Sequence, residues 1–151
     1  AINIYRGQLA VLKRKKIAFE LKEMLKQEEK HYQKFSELLI QYKVRPTLLS
    51  PLWKIGAFGL GVFTASLGEK ATMACTEAVE EVIINHYLEQ AKFLKNKDKK
   101  LHNITKQFAK EEAEHMDISK NYDTGSDKAH TLLKYGIKRI SKLAIKLSEK
   151  I

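Results

Sequence analysis

Glu112 and His115 stand three residues apart in a stretch with helical periodicity, and residues three apart share one face of a helix. Glu28 and His31 repeat the Glu-x-x-His spacing near the other end of the chain. One such pair on a helix rich in Lys and Glu is ordinarily a solvated face. Here both pairs fall inside apolar stripes, and an ionised carboxylate on a buried face is costly unless it is paired or bound to metal. Carboxylate oxygens can bridge two cations, and an imidazole on each tunes it. That donor mixture fits iron or manganese better than zinc, which favours four-coordinate sites of nitrogen and sulfur. The spacing alone does not separate oxygenation from iron storage or peroxide reduction.

The elements that must position these groups read as helices. The first runs from Ile2 to about Lys15, with Ile4, Leu9 and Leu12 as its apolar positions. The second runs from about Ile17 to Tyr42, and its stripe is Leu21, Met24, Leu25, Glu28, His31, Tyr32, Phe35, Leu38, Leu39 and Tyr42. Val44-Arg45-Pro46-Thr47 breaks it, because the residue before a proline avoids the helical region. From Leu48 to Leu67 the only charge is Lys54, and Gly56, Gly59 and Gly61 fall within the segment. Three readings fit it: a buried core helix, a helix lying in one leaflet of a membrane, and a short full span. Trp53 beside Lys54 suits the interface, where a lysine snorkels and an indole sits among headgroups.

Gly68 ends that segment, and the next helix takes Glu69 to Leu94 with Met73, Thr76, Glu80, Ile83, Tyr87, Ala91 and Leu94 on one face. A basic turn, Lys95 to Lys100, leads to a fifth helix whose stripe is Leu101, Ile104, Thr105, Phe108, Glu112, His115, Ser119 and Tyr122. Thr124-Gly125-Ser126-Asp127 reads as a loop and cap. The last helix spans Ala129 to Lys150, with Leu132, Leu133, Ile137, Ile140, Leu143, Ala144 and Leu147 as its expected inner face. Glu81, Glu111 and Glu114 are expected on outer faces or just behind the ligands, and His102 and His130 toward solvent. No strand signal competes. The expectation is an all-α, ferritin-like four-helix bundle with additional helices, one of them strongly apolar, as a single domain over residues 1–151.

An internal repeat sharpens the metal reading. A ferritin-like dinuclear site takes Glu-x-x-His from two helices and a lone Glu from each of two others. Glu80 is such a lone inward Glu, and it precedes Glu112 by 32 residues. The same offset from Glu28 falls just ahead of Ala1. The expectation is therefore five ligands within the chain, Glu28, His31, Glu80, Glu112 and His115, and a sixth upstream of Ala1, as if a short N-terminal segment were missing.

Composition narrows the partners. The formal charge is +10, carried mostly by Lys, which favours phospholipid surfaces, nucleic acid or acidic proteins. No basic run has aromatics interleaved as a stacking platform needs, which argues against nucleic acid. Cys75 is the single cysteine, so no disulfide framework exists and a reducing compartment is expected. Lys, Ile and Asn outweigh Arg as in AT-rich genomes, pointing to a bacterial source.

Val44-Arg45-Pro46-Thr47, Pro51-Leu52-Trp53, Gly59-x-Gly61, Met73-Ala74-Cys75-Thr76, Ala78-Val79-Glu80-Glu81 and His86-Tyr87 together resemble the demethoxyubiquinone hydroxylases of ubiquinone biosynthesis. Glu112-x-x-His115-x-Asp117-Ile118 and Leu147-Ser148-Glu149 extend the likeness over essentially the whole chain. The resemblance implies a ferritin-like di-iron monooxygenase that uses O₂ to hydroxylate the ring of a polyprenyl demethoxyubiquinol. It implies two iron ions on Glu28, His31, Glu80, Glu112, His115 and the upstream Glu, with NADH as a candidate electron donor. It also implies roles for His86 and Tyr87 in relaying electrons or touching the quinone. Trp53, Lys54, Phe58 and Phe63 would then meet an anionic membrane and admit the quinone. The expected location is the cytoplasmic face of the bacterial inner membrane, the alternative being the matrix side of the mitochondrial one. A homo-oligomer or a ubiquinone-biosynthesis complex is an expected assembly. Two rival readings stand beside this one: an iron-storing or iron-detoxifying protein, and a non-catalytic quinone- or lipid-binding homologue.

Overall fold

The structure, a computed structural model, describes every residue except Asp123 and Ser126, so the Ser126 position of the expected cap loop lies outside it. Six helices follow one another: α1 (Ile2–Leu12), α2 (Ala18–Gln41), α3 (Ser50–Ser66), α4 (Glu69–Leu94), α5 (Lys99–Lys120) and α6 (Lys128–Ser148). Among the described residues there is no strand, and the protein is all-α. The chain forms two compact units, residues 1–72 with 143–151, and residues 73–142.

Local chemistry explains where the helices stop. α2 closes in a Schellman turn, with Val44 N bonded to Leu39 O at 2.9 Å and Lys43 N to Ile40 O at 3.1 Å. Lys43 takes the left-handed conformation there, at φ 54°, a place usually given to glycine. Gly68 does the same after α3 at φ 108°. Pro51 sits in the first turn of α3, where its missing N–H costs nothing. Asp98 caps α5 by accepting from Leu101 N at 2.9 Å, and Asp127 accepts from Ala129 N at 2.9 Å as α6 begins.

In the first unit α1 packs against α2 and α3. The α1–α3 contact is nearly backbone to backbone. A Cβ at Gly7 would press into the Phe58 carbonyl and come within 2.9 Å of Val62 N, and one at Gly61 would press into the Ile4 carbonyl. Tyr5, Ile17, Leu21 and Met24 fill the adjoining core. Because α3 buries its small residues, Gly61, Thr64 and Ala65, its large ones turn outward: Leu52, Ile55, Phe58 and Phe63 are all exposed. The core-helix reading therefore holds for one side of α3 only. No helix among the described residues is long and apolar enough to cross a membrane, so nothing supports the full-span reading. Trp53 is half-buried and its indole N–H donates to Ser148 Oγ at 2.8 Å. Its polar handle is thus engaged inside the unit, not held out among headgroups.

In the second unit every residue from Met73 to Glu80 is buried, so this part of α4 is enclosed on all sides. Ala74, Cys75 and Ala78 are small enough to allow it. Glu77 is buried among them. It accepts from Thr124 Oγ1 and from Lys134 Nζ at 3.1 and 3.3 Å. Lys138 pairs with Glu81 at 2.5 Å. These two pairs face Lys134, Ile137 and Lys138 of α6 toward α4, and the inner face expected from sequence is rotated. Ile137 is buried at 2% exposure, whereas Leu132 at 72%, Ile140 at 61% and Leu143 at 56% look outward. His102 also departs from expectation: its Nδ1 lies 2.7 Å from the Ala91 carbonyl, tying the start of α5 to the end of α4.

Two stability predictions follow from these contacts. Gly61→Val should destabilise by at least about 1–3 kcal/mol through overpacking against α1. Gly56→Ala, where a Cβ meets nothing, should gain up to about 1 kcal/mol of helix propensity. Urea unfolding of the two variants should move in opposite directions. Lys134→Met should cost about 3–5 kcal/mol by leaving the Glu77 carboxylate buried without its cation, while Glu77→Val combined with Lys134→Met should come out near wild type. A double variant as unstable as the single one would show that the pair is not the cause.

Candidate metal centre

α4 and α5 bring three of the expected ligands together. Glu80 and Glu112 are fully buried and His115 is 2% exposed. One ligand atom from each lies within 4.8 Å of the others, and His115 Nδ1 is 3.1 Å from Glu112 Oε2. The i, i+3 spacing on α5 puts Glu112 and His115 on one face, as the sequence predicted. Phe108 and Ala109 are buried one turn before this pair and Ser119 one turn after it. On α2, in the other unit, Glu28 at 8% exposure and His31 at 3% form the second buried Glu-x-x-His pair. Leu21 and Met24 before them and Leu38 after them are buried too, so this face of α2 is enclosed along most of its length.

The chemistry of the donors tests the fit to a metal. Two buried carboxylates and an imidazole within 4.8 Å concentrate negative charge where desolvating each ion costs several kcal/mol. A multivalent cation answers that charge, and hard oxygens with a nitrogen donor suit iron or manganese. The donor set fits the metal expected from sequence.

The remaining predicted positions are partly accounted for. Tyr87 is half-buried on α4, with its ring 6.1 Å from that of Phe108 at a 54° tilt. His86 is also half-buried, and its Nε2 lies 3.0 Å from Gln90 Nε2. Trp53, Lys54, Phe58 and Phe63 belong to the first unit; Lys54, Phe58 and Phe63 are exposed. Glu81 and Glu111 are half-buried and Glu114 is exposed, in keeping with outer positions. Sequence reasoning missed Glu77, one turn before Glu80. The signal was present in the run of small residues flanking it, which marks a segment enclosed on every side. It also missed Gln8, fully buried on α1, whose Nε2 donates to Thr72 O at 3.3 Å.

Comparison with known proteins gives these residues a context. The family model described as "Ubiquinone biosynthesis protein COQ7" matches residues 1–148. The mouse protein named "NADPH-dependent 3-demethoxyubiquinone 3-hydroxylase, mitochondrial" is 44% identical over 154 residues, covering 99% of this chain and 71% of its own length. A Rhodospirillum rubrum protein named "3-demethoxyubiquinol 3-hydroxylase" is 44% identical over 152 residues, covering all of this chain and 72% of its own. The Saccharomyces cerevisiae "5-demethoxyubiquinone hydroxylase, mitochondrial" is 38% identical over 165 residues, covering 98% and 71%. Glu28, His31, Glu80, Glu112 and His115 all lie within the residues that the family model matches. The chain belongs to the family of ubiquinone biosynthesis protein COQ7.

Proposed function

We propose that this protein is a metal-dependent monooxygenase that hydroxylates the ring of a polyprenyl demethoxyubiquinol with O₂. The observation that carries the reading is the buried cluster of Glu80, Glu112 and His115 in a chain whose relatives are named demethoxyubiquinone hydroxylases. By the sequence pattern Glu28 and His31 would add a carboxylate and a second imidazole, and these residues would hold two iron ions. Bound iron would supply the activation of O₂, with one oxygen entering the ring and the other leaving as water at the expense of two electrons from the donor.

The chain's own residues do the remaining work. Glu80 and Glu112 would balance the charge of the metal, and their full burial excludes bulk water from the site. Tyr87 and His86 stand half-buried on the same helix as Glu80 and are placed to contact the quinol or to pass electrons. The electron donor is a reduced nicotinamide; the mammalian relatives' names specify NADPH where the sequence resemblance suggested NADH.

The substrate's isoprenoid tail does not enter water, so the enzyme works at a membrane surface. α3 is the contact: Ile55, Phe58 and Phe63 face outward and Lys54 is exposed beside them. The +10 charge favours anionic lipid. Relatives occur in a bacterium and in mitochondria, and either quinone-bearing inner membrane suits this chemistry.

Two experiments test the reading. Glu80→Gln and Glu112→Gln should each weaken ferrous-ion affinity by at least about 10–100-fold, the loss typical of disturbing even the outer partners of a metal ligand. Iron analysis and the metal-induced rise in melting temperature both report it, and wild-type iron content in the variants would remove these residues from the site. A strain deleted for the gene should accumulate the demethoxy precursor and recover ubiquinone on complementation. Normal ubiquinone with no precursor would defeat the assignment.

A further inference from the structure

α6 presents a surface that the hydroxylase reading does not use. Its sequence from Lys128 to Ser148 contains no Asp or Glu and six cations: Lys128, Lys134, Lys138, Arg139, Lys142 and Lys146. Lys134 and Lys138 turn inward to Glu77 and Glu81. That orientation leaves the opposite side outward, where Leu132 is 72% exposed, Tyr135 54%, Ile140 61% and Leu143 56%. At 100° per residue these positions form one apolar stripe. Lys128, Arg139, Lys142 and Lys146, all exposed, share the Tyr135 side of the stripe. Arg139 is held there, with its Nε donating to Tyr135 Oη at 2.9 Å and its guanidinium carbon 5.0 Å from the centre of that ring.

We propose that the outer face of α6 is a second membrane-contact surface, lying in the plane of an anionic bilayer. The stripe enters the boundary between headgroups and acyl chains, and the row of cations meets lipid phosphates. Charge decides the occupant. A second copy of this chain would bring two acid-free rows of cations face to face, on proteins that each carry +10. An uncharged protein groove would leave the row of cations unanswered. An anionic bilayer answers both the stripe and its edge. The proposal shares its partner class with the membrane reading of α3, but rests on different residues and fails separately.

Two fluorescence reporters distinguish them on the full chain. In a Trp53→Phe background, which removes the single native tryptophan, Phe63→Trp reports on the exposed face of α3 and Leu132→Trp reports on α6. Each is mixed with brominated phosphatidylcholine vesicles, with and without phosphatidylglycerol. A bilayer contact of α6 should quench and blue-shift Trp at position 132 on the anionic vesicles. Arg139→Gln combined with Lys142→Gln should lower partition to them about 30-fold, at about fivefold per cation, with unchanged helical circular dichroism. If vesicles that quench Trp at position 63 leave position 132 unquenched, the α6 face is turned to water or to a protein, and the proposal falls while the α3 reading stands. Quenching at 132 without quenching at 63 supports α6 and removes α3. A double-glutamine variant that binds anionic vesicles within twofold of wild type also overturns the proposal.

Discussion

Carboxylates in a low-dielectric interior are the constraint on which the second unit is built. Glu77, Glu80 and Glu112 are all under 10% exposed, and each must be answered by a positive charge or by donors. The fold answers them in two ways. Glu77 receives Lys134 and the Thr124 hydroxyl, both supplied by the chain beyond α5. Glu80 and Glu112 converge with His115 on a point where the natural answer is a metal ion. α4 carries one carboxylate of each kind a single turn apart. The protein-supplied cation ties α6 to α4, and the Glu80, Glu112 and His115 cluster lies where α4 and α5 face each other.

The first unit obeys a different constraint, the close approach of two backbones. Gly7 and Gly61 let α1 and α3 touch where a methyl group would not fit. Helices packed through their smallest residues must turn their largest ones elsewhere, and on α3 these are Leu52, Ile55, Phe58 and Phe63. The exposed apolar surface of α3 is thus a consequence of how its other side packs. A contiguous exposed apolar patch is a common mark of an interaction or membrane surface.

Much of this was legible in the sequence because burial follows helical periodicity. The two Glu-x-x-His pairs and Glu80 fall in apolar stripes, and all five side chains are buried. Gly68 ends α3 as expected because its φ of 108° suits few other residues. Helix α6 was misread for an equally physical reason. Its apolar residues form a wide band, and periodicity alone cannot tell which edge of a band is buried. Ion pairs to residues more than fifty positions away decided it, putting Lys134 and Lys138 inside. Glu77 was missed for the same cause: its partners lie in distant sequence. His102 looked solvent-facing from its place at a helix start, but the carbonyl it meets belongs to the end of the previous helix.

The errors are of two kinds. On α6 and at Glu77 and His102 the environment is set by a polar partner remote in sequence, whereas Tyr32, 61% exposed, and Tyr42, 40% exposed, were placed in the α2 stripe but lie at its edge. Hydrophobic patterning is a property of a segment, so a single chain records it directly. A buried ion pair is a property of two segments, and neither half announces it. The candidate ligands escaped this difficulty because their pattern is repeated: Glu28 and His31 in one stripe made the matching pair at Glu112 and His115 improbable as noise. Repetition supplied the long-range information that a single stripe lacks, and no repeated polar motif marked the inner face of α6.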